Sequence, residues 1–408
     1  MHVIFVEPRF PANQREFVRG LHAMGARVTG IGEGPVESLG DTLKGRLHAY
    51  HQVGSVCDEA AMLATVKKIQ ATERVDRLEA TVEAHILPVA KVREACGIPG
   101  TTVRTAYLCR DKPAMKEALR AAGVPTARST GANSAAEVRT FAAEVGYPLI
   151  LKPRAAAGAA GTVRVNDAAE LEAAIATQGF ERGGSAAVEE FIEGHEGFYD
   201  TLSIDGHVAH DFISHYYPGV LEAMRTRWIS PQIITTNRLD AEGYTPLKVM
   251  GQAVITALGI GTSATHMEWF ASPKGLKFSE IGCRPPGVSV WDLYSQANEF
   301  DLYREWAYAI ARGKPLSPPS RRFSAGMIAL RPDRDGLIAG YEGVDRIYER
   351  YGDAIIDSHL PPPGAPTQPV EAGYMANAYM RLRHPDYDTL RAIMDDVGRT
   401  VKVRARPA

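Results

Sequence analysis

The first hundred residues alternate between short apolar runs and stretches in which apolar residues recur every three or four positions. Apolar runs at 2–6 and 27–31 predict strands, whereas the spacing over 13–24 and 59–73 predicts helices. Strands separated by helices in this way form parallel sheets whose faces the helices cover. The loop at 7–12 lacks the glycines that let backbone approach a pyrophosphate, so this region predicts a scaffold or a substrate wall rather than a dinucleotide site.

From Asp111 onward, helices and strands follow each other in a less regular order. Asp111 and Pro113 mark the start of a helix that ends at Ala122. Periodicity then predicts strands at 147–152, 162–165 and 187–192, and helices at 167–177, 246–258 and 300–312. The segment 217–237 has no clear period and is interpreted as an irregular active-site loop, and the chain from about 322 is mixed strand and helix.

Two strands at 265–270 and 276–284 flank a Pro/Gly turn and predict a hairpin. With a three-residue loop, Glu268 lies directly opposite Glu280, and both side chains point to one face. Facing carboxylates repel each other unless a hard divalent cation such as Mg²⁺ lies between them. The alternative stays open here, because acidic residues on hairpins are commonly solvated and a shift of one residue would separate the pair.

Composition narrows the class of protein. The chain has 408 residues, which predicts two or three domains, and a formal net charge of −2, which argues against a nucleic-acid partner. No apolar run approaches the roughly 20 residues of a membrane span, and the first strand opens without a signal sequence. Four scattered cysteines predict free thiols, so we expect a cytoplasmic protein. Among the histidines, His207 and His210 fall on opposite faces of a predicted strand, which disfavours a zinc site.

Three further features are candidates for binding phosphate or nucleotide. Lys152 ends an apolar strand and is followed at 155–161 by alanines and glycines, which leave backbone N–H groups open to a phosphate. This loop is not a Walker loop, because no Gly-Lys-Ser/Thr follows it. Taken separately, this loop, Lys112 and the acidic turn that ends at Glu196 each fit a solvated surface as well as a nucleotide site.

Together, the order of these residues resembles the ATP-grasp superfamily, which includes biotin carboxylase and carnosine synthase. The segment 92–100 ahead of Asp111 is similar to the end of that superfamily's first domain. The resemblance covers essentially the whole chain and implies an α/β, three-domain architecture. We expect a Rossmann-like pre-ATP-grasp domain at 1–104, a two-lobed α+β ATP-grasp core at 105–316 with a mobile lid at about 125–192, and a small α+β C-terminal domain at 317–408.

The resemblance also implies a role for individual residues. The implied ATP phosphate ligands are Lys112, Lys152 and a mobile loop with Ala157, Gly158, Gly161 and Thr162. Adenine would be held by Glu189, Glu190, Phe191 and Ile192, and the ribose by Glu196. Glu268 and Glu280 would coordinate Mg²⁺ (or Mn²⁺), and the implied catalytic residues are Arg284 and Lys152. In one departure from the pattern, Gly282 stands where many relatives have Asn, so three protein ligands become two.

The resemblance implies a cytoplasmic ligase that joins a small-molecule carboxylate to an amine through an acyl phosphate, releasing ADP and phosphate. The alternatives are a carboxylase-type enzyme that forms an acyl phosphate, and a catalytically weakened ATP-binding regulatory or scaffold protein. Residues of the irregular segment are candidates for the substrate pocket, with Arg284: Tyr216, Tyr217, Arg225, Arg227 and Trp228. Many relatives are dimers, so a homodimer is a further expectation.

Overall fold

A computed structural model describes residues 1–152, 161–374 and 377–408. The chain begins with a parallel four-stranded sheet of order β3-β2-β1-β4. Its elements are β1 (His2–Val6), α1 (Gln14–Ala23), β2 (Arg27–Gly32), α2 (Asp41–Lys44), β3 (Ala49–Gln52), α3 (Glu59–Gln70), β4 (Arg77–Glu79), α4 (Ile86–Ala95) and α5 (Val103–Leu108). The predicted alternation of strands and covering helices is therefore confirmed, with β3 as an additional edge strand.

A second, antiparallel sheet has the order β5-β8-β6-β7. Its elements and flanking helices are α6 (Lys112–Ala121), β5 (Ser129–Ala132), α7 (Ala135–Val145), β6 (Leu149–Lys152), β7 (Val163–Val165), α8 (Ala168–Thr177) and β8 (Ala186–Glu190). The helix start predicted at Asp111 is found, because its carboxylate accepts a hydrogen bond from the backbone N–H of Ala114 at 3.0 Å.

The largest sheet has eight antiparallel strands in the order β13-β12-β9-β10-β11-β14-β17-β16, and β15 pairs separately with β18. These strands are β9 (His195–Ile204), β10 (His207–Tyr217), β11 (Gln232–Thr235), β12 (Ser263–Ser272), β13 (Gly275–Gly282), β14 (Ser324–Leu330), β15 (Leu337–Glu342), β16 (Ile355–His359), β17 (Ala378–His384) and β18 (Lys402–Arg406). The accompanying helices are α9 (Val220–Ala223), α10 (Thr245–Leu258), α11 (Val290–Asn298), α12 (Leu302–Arg312), α13 (Val344–Tyr351) and α14 (Tyr387–Thr400).

One prediction about this sheet is wrong. The segment 217–237, interpreted as irregular, contains β11, which lies inside the sheet between β10 and β14. The four residues of β11 are all buried, but the strand is short and has a polar residue at each end, so no period marks it in the sequence. Strand β11 pairs with β14. The strands β14, β17 and β16, which come after residue 317, therefore continue the sheet that contains β9, β12 and β13.

An aromatic cluster fixes the first sheet against the rest of the molecule. Phe17 of α1 packs against the rings of Trp291, Tyr303 and Trp306 with centroid distances of 5.0–5.1 Å. Helices α1 and α12 can approach this closely because position 20 is a glycine. A Cβ there would lie only 2.5 Å from the carbonyl oxygen of Tyr303. Of the helices in the described residues, none is both long and apolar enough to cross a membrane.

Candidate active site

The hairpin of β12 and β13 pairs Glu268 with Glu280 as expected, but its turn is shorter than expected and a bulge restores the pairing. The turn has two residues between Ser272 and Gly275 rather than three, which alone would move the register by one. A bulge then adds one residue to β13, because Trp269 pairs with Phe278 whereas Glu268 pairs with Glu280. The predicted pairing of Glu268 with Glu280 is therefore confirmed.

A third carboxylate lies on the same face of the sheet. In the pairing of β9 with β12, Glu196 is opposite Phe270, two positions from Glu268, so alternation points both carboxylates the same way. Glu196 Oε2 also accepts a hydrogen bond of 2.8 Å from the backbone N–H of Val220. Burial and the neighbouring charge of Glu268 raise the pKa of Glu196 to about 8. This face therefore has an excess of negative charge that a cation would relieve.

The donor set fits a hard divalent cation, because it consists of carboxylate oxygens. Within the described ranges, no three His, Cys, Asp or Glu side chains converge closely enough to hold a metal ion by themselves. Glu268 and Glu280 would thus provide two ligands, and a phosphate and water would complete the coordination of Mg²⁺.

Two predicted lysines reach this carboxylate face. Lys112 Nζ lies 3.3 Å from Glu280 Oε2, and Lys152 Nζ lies 3.9 Å from the same oxygen. Lys152 Nζ also lies 2.9 Å from Glu189 Oε2. Burial opposes the charge on Lys152, but Glu189 and Glu280 together raise its pKa above the usual value. The structure therefore brings together Lys112, Lys152 and Glu280, which are far apart in the sequence.

A buried lysine that the sequence analysis did not single out completes this network. Lys116 is fully buried one turn after Lys112 on α6, and its Nζ lies 2.5 Å from Glu189 Oε1. Burial lowers the pKa of Lys116 to about 8. Burial alone would raise the pKa of Glu189, but Lys116 and Lys152 lower it to about 2. The spacing of four residues from Lys112 was the available signal.

The segment expected to hold adenine covers the end of strand β8 and the residues just after it. Strand β8 ends at Glu190, so Phe191 and Ile192 lie just beyond it. The backbone N–H of Phe191 donates to the carbonyl of Pro148 at 3.1 Å, and the Arg164 guanidinium lies 4.1 Å from the Phe191 ring centroid. In the expected phosphate loop, Gly161 and Thr162 lead into β7, whereas Ala157 and Gly158 lie outside the described residues.

Arg284 is oriented by Glu83, a residue that follows β4 of the first sheet. Its Nε donates to Glu83 Oε2 at 2.8 Å, and its Nη1 donates to the carbonyl of Pro285 at 3.0 Å. Arg110 Nη1 also donates to the carbonyl of Glu83 at 2.6 Å. Glu83 was missed from the sequence, although it lies shortly after the carboxyl end of β4, where ligands of parallel sheets commonly bind.

Glu83 also explains the glycine at position 282. A Cβ on Gly282 would lie 3.0 Å from Glu83 Oε2 and 3.4 Å from Arg284 Cγ. Gly282 pairs with His266, so this Cβ would point to the face that carries Glu268. The space that an Asn side chain would take is therefore occupied by the Glu83 carboxylate.

A chain of hydrogen bonds and one ion pair leads from Tyr294 through Asp200 and His266 to Glu268. His266 Nδ1 lies 2.7 Å from Asp200 Oδ1, and its Nε2 lies 3.8 Å from Glu268 Oε1. The Tyr294 hydroxyl donates to Asp200 Oδ2 at 2.5 Å. Burial opposes charge on His266, but Asp200 raises its pKa to about 9, and His266 in turn lowers the pKa of Glu268. Neither His266 nor Asp200 was identified from the sequence.

The candidate substrate residues are largely not brought to this face. Tyr217 is on the opposite side of the sheet, where its hydroxyl lies 2.8 Å from that of Tyr387. Arg227 Nη2 forms an ion pair of 2.7 Å with Asp335, and Arg225 is exposed. Tyr217 points away from the carboxylate face because side chains alternate along a strand, whereas a substrate role for Arg225 and Arg227 stays a prediction.

Two aromatic residues of the same segment have different positions. The Tyr216 ring lies on the carboxylate face, 5.0 Å from the Phe198 ring. Burial, with Glu268 and Glu196 adding to it, raises the pKa of Tyr216 well above its usual value. Trp228 is 88% exposed. Of the predicted aromatic residues, Tyr216 is therefore the one near the glutamates.

Comparisons with known proteins agree with this geometry. The family model for the ATP-binding domain of the carbamoyl-phosphate synthase L chain matches residues 111–196. An L-arginine-specific L-amino acid ligase from Bacillus subtilis is 27% identical over 73% of this chain and 72% of its own length. Alanine–anticapsin ligase from Bacillus subtilis (strain 168) is 28% identical over 52% of this chain and 48% of its own length. The chain spans about half to two thirds of the length of the first curated relatives that it matches.

The fold comparison covers nearly the whole chain. The crystal structure of an L-amino acid ligase from Bacillus licheniformis superposes with a TM-score of 0.76 at 19% identity, covering 99% of this chain and 98% of that one. These comparisons confirm the resemblance to the ATP-grasp superfamily that the sequence pattern predicted.

Proposed function

We propose that this protein is an ATP-dependent ligase that joins a small-molecule carboxylate to an amine through an acyl phosphate. The observation that carries the proposal is the convergence of Lys112 and Lys152 on Glu280, directly across the hairpin from Glu268. In the absence of nucleotide these lysines neutralise carboxylates. In its presence they can turn to the phosphates while the carboxylates hold a divalent cation.

Phosphoryl transfer depends chiefly on positioning and on stabilising charge, which suits this set of residues. Mg²⁺, or Mn²⁺ in its place, would neutralise the phosphates and bring them to Glu268 and Glu280. Lys112 and Lys152 would place positive charge beside the transferred group. Arg284, held by Glu83, would present its guanidinium to the substrate carboxylate or to the phosphate. Loss of one such contact should raise the barrier by about 2–4 kcal/mol.

The names of the relatives suggest the substrate class. Two of them are named as ligases of amino acids, so we propose that one amino acid supplies the carboxylate and a second supplies the amine. Glu83 and Arg284 together present one negative and one positive group near the reacting centre, which suits an amino acid. Of the residues in the segment 217–237 and the adjoining Tyr216, Tyr216 is the best candidate for a contact with the substrate.

A homodimer, the three domain boundaries and a cytoplasmic location stay predictions from the sequence.

The alternative of a catalytically weakened ATP binder was based on Gly282. The Glu83 carboxylate lies 3.0 Å from where a Cβ on Gly282 would be, and it holds Arg284 there. The presence of Lys112, Lys152, Glu268 and Glu280 in one cluster favours a functioning ligase over a silent nucleotide binder. In the carboxylase-type alternative the acid that is phosphorylated is bicarbonate, so ADP release that requires bicarbonate would distinguish it.

The test is magnesium-dependent ADP release with amino acids and other small carboxylates, offered singly and in pairs, and with bicarbonate. Glu280→Gln is the inactivating variant, and Glu349→Gln, which changes an exposed glutamate on α13, is the matched control. We expect ADP only with particular pairs, a loss of at least 100-fold in Glu280→Gln, and unchanged release in the control. ADP release at the same rate in both variants would refute the assigned site.

A further inference from the structure

Two cysteines from distant parts of the chain meet beside the candidate site. Cys109 follows α5 and Cys283 follows β13, and their Sγ atoms are 3.0 Å apart. Both side chains are buried, and neither forms a disulfide. The sulfurs of a disulfide are about 2.05 Å apart, so a bond between these two requires them to approach by about 1 Å.

The two thiols have different surroundings. Cys283 lines a cavity with about 380 Å³ of space not filled by atoms, part of it open to solvent. Two arginines, Arg93 and Arg284, line the same cavity, as does the carboxylate of Glu79. The Arg93 guanidinium is fixed there by hydrogen bonds to the carbonyls of Leu78 and Thr101, at 2.6–3.0 Å.

Cys109, in contrast, is enclosed. Its hydrogen bond with Cys283 and its burial raise the pKa of the Cys109 thiol well above its usual value. It is not among the residues that line the cavity. The arrangement therefore provides one thiol that a small oxidant can reach and a second thiol in contact with the first.

We propose that Cys283 is a peroxide-reactive thiol and that Cys109 is its resolving partner, so that the pair forms a reversible disulfide. The Cys283 sulfur attacks hydrogen peroxide, which breaks the O–O bond and gives a sulfenic acid, while the thiol proton and the departing hydroxyl leave as water. The Cys109 sulfur then attacks the sulfenic sulfur, its proton leaves with the hydroxyl as water, and the S–S bond forms. Two thiols and one peroxide thus give one disulfide and two waters, and an external dithiol reverses the change.

The position of the bond connects it to the proposed function, on which this part of the inference rests. Cys283 directly precedes Arg284, and Cys109 lies three residues before Lys112. Bond formation shortens the distance between the sulfurs by about 1 Å. Displacements of that size at a reacting centre can reduce rates by about 100-fold. We therefore expect the oxidised protein to release ADP at least tenfold more slowly and to recover when reduced.

The experiment treats reduced, desalted protein with hydrogen peroxide, blocks remaining thiols with a maleimide, and maps the peptides by mass spectrometry without reduction. The expected product joins the peptides of Cys109 and Cys283, with the mass of two hydrogens lost. Cys283→Ser should abolish the cross-link, and Cys109→Ser should leave a sulfenic or sulfinic acid on Cys283. Cys57→Ser removes an exposed cysteine and is the matched control that should cross-link normally.

The peptide map of the unmodified sequence decides the proposal even if a variant fails to fold. Recovery of both cysteines as maleimide adducts after peroxide, or a cross-link that involves Cys57 or Cys96 instead, would overturn it. A cross-link that forms while ADP release is unchanged would overturn the regulatory consequence. If no substrate pair releases ADP at all, the proposed function fails, and the cross-link map still decides the redox proposal.

Discussion

Replacing Lys116 with methionine removes one of the two charges that hold Glu189 inside the protein. Lys116 Nζ lies 2.5 Å from Glu189 Oε1 and Lys152 Nζ lies 2.9 Å from Glu189 Oε2, so each carboxylate oxygen has its own lysine. Methionine has a similar length and fills the same space without charge. The variant therefore tests the charge rather than the packing.

The expected loss in the free energy of unfolding follows from the pKa of Glu189. Two lysines lower its pKa from 4.5 to about 2 even though burial acts in the other direction, which corresponds to about 3 kcal/mol in favour of the charged form. Without Lys116 the free-energy cost of burying the Glu189 carboxylate remains, while much of the electrostatic attraction that offsets this cost is lost. Removing one partner of a buried ion pair commonly costs about 3–5 kcal/mol. We expect Lys116→Met to lower the free energy of unfolding by about 3 kcal/mol at neutral pH.

Urea denaturation measures this change, with Lys67→Met on the exposed side of α3 as the matched control. The double variant Lys116→Met with Glu189→Gln should lose less than the sum of the single losses, because it leaves no buried charge without a partner. A loss below about 1 kcal/mol in Lys116→Met, or strict additivity in the double variant, would refute the reasoning.

The pH dependence gives a second check on the same pair. Glu189 has a folded-state pKa of about 2, below its usual 4.5, so its contribution is complete above pH 4.5 and is lost as the pH falls toward 2. Lys116 has a folded-state pKa of about 8, below its usual 10.5, so the unfolded chain binds more protons between these values. Stability should therefore rise with pH over that window relative to Lys116→Met. An identical pH profile in both proteins would contradict the assignment.

Three further predictions concern the carboxylate face and its surroundings. Gly282→Asn should lower ADP release at least tenfold rather than improve it, because the new side chain displaces Glu83 from the site arginine; faster release would contradict this. Tyr217→Phe should cost about 1 kcal/mol in urea denaturation, for one lost hydrogen bond, and should leave the KM of every substrate unchanged. Calorimetry should show Mg²⁺ affinity rising with pH through about 8, as Glu196 ionises beside Glu268, and Glu196→Gln should show no such rise.

The sequence allowed much of the site to be predicted where the relevant spacing is local. The pairing of Glu268 with Glu280 depends on alternation and turn length, and the two-residue turn and the bulge compensate each other. The sequence offered Tyr216 and Tyr217 alike as pocket residues because strand β10 was not extended to its end, and alternation along that strand separates the two. Local patterns determine such features only when the end of each strand is known.

Other parts of the site depend on contacts between distant segments. Glu83 is 201 positions from Arg284, and no local spacing connects them. Lys116 and Glu189 meet because α6 packs beside the second sheet, which the helix's own period cannot show. Strand β11 is only four residues long and begins and ends with a polar residue, so periodicity could not distinguish it from a loop. These features require the tertiary structure, because packing and not propensity decides them.

The most direct test of the account follows an oxygen atom. A substrate pair that supports ADP release is offered with a heavy-oxygen label in both carboxylate oxygens of the carboxylate substrate, and the released phosphate is analysed by mass spectrometry. If an acyl phosphate forms, one labelled oxygen passes to phosphate in every turnover and the other stays in the product. Phosphate without label, formed at the same rate as ADP, would contradict the central claim.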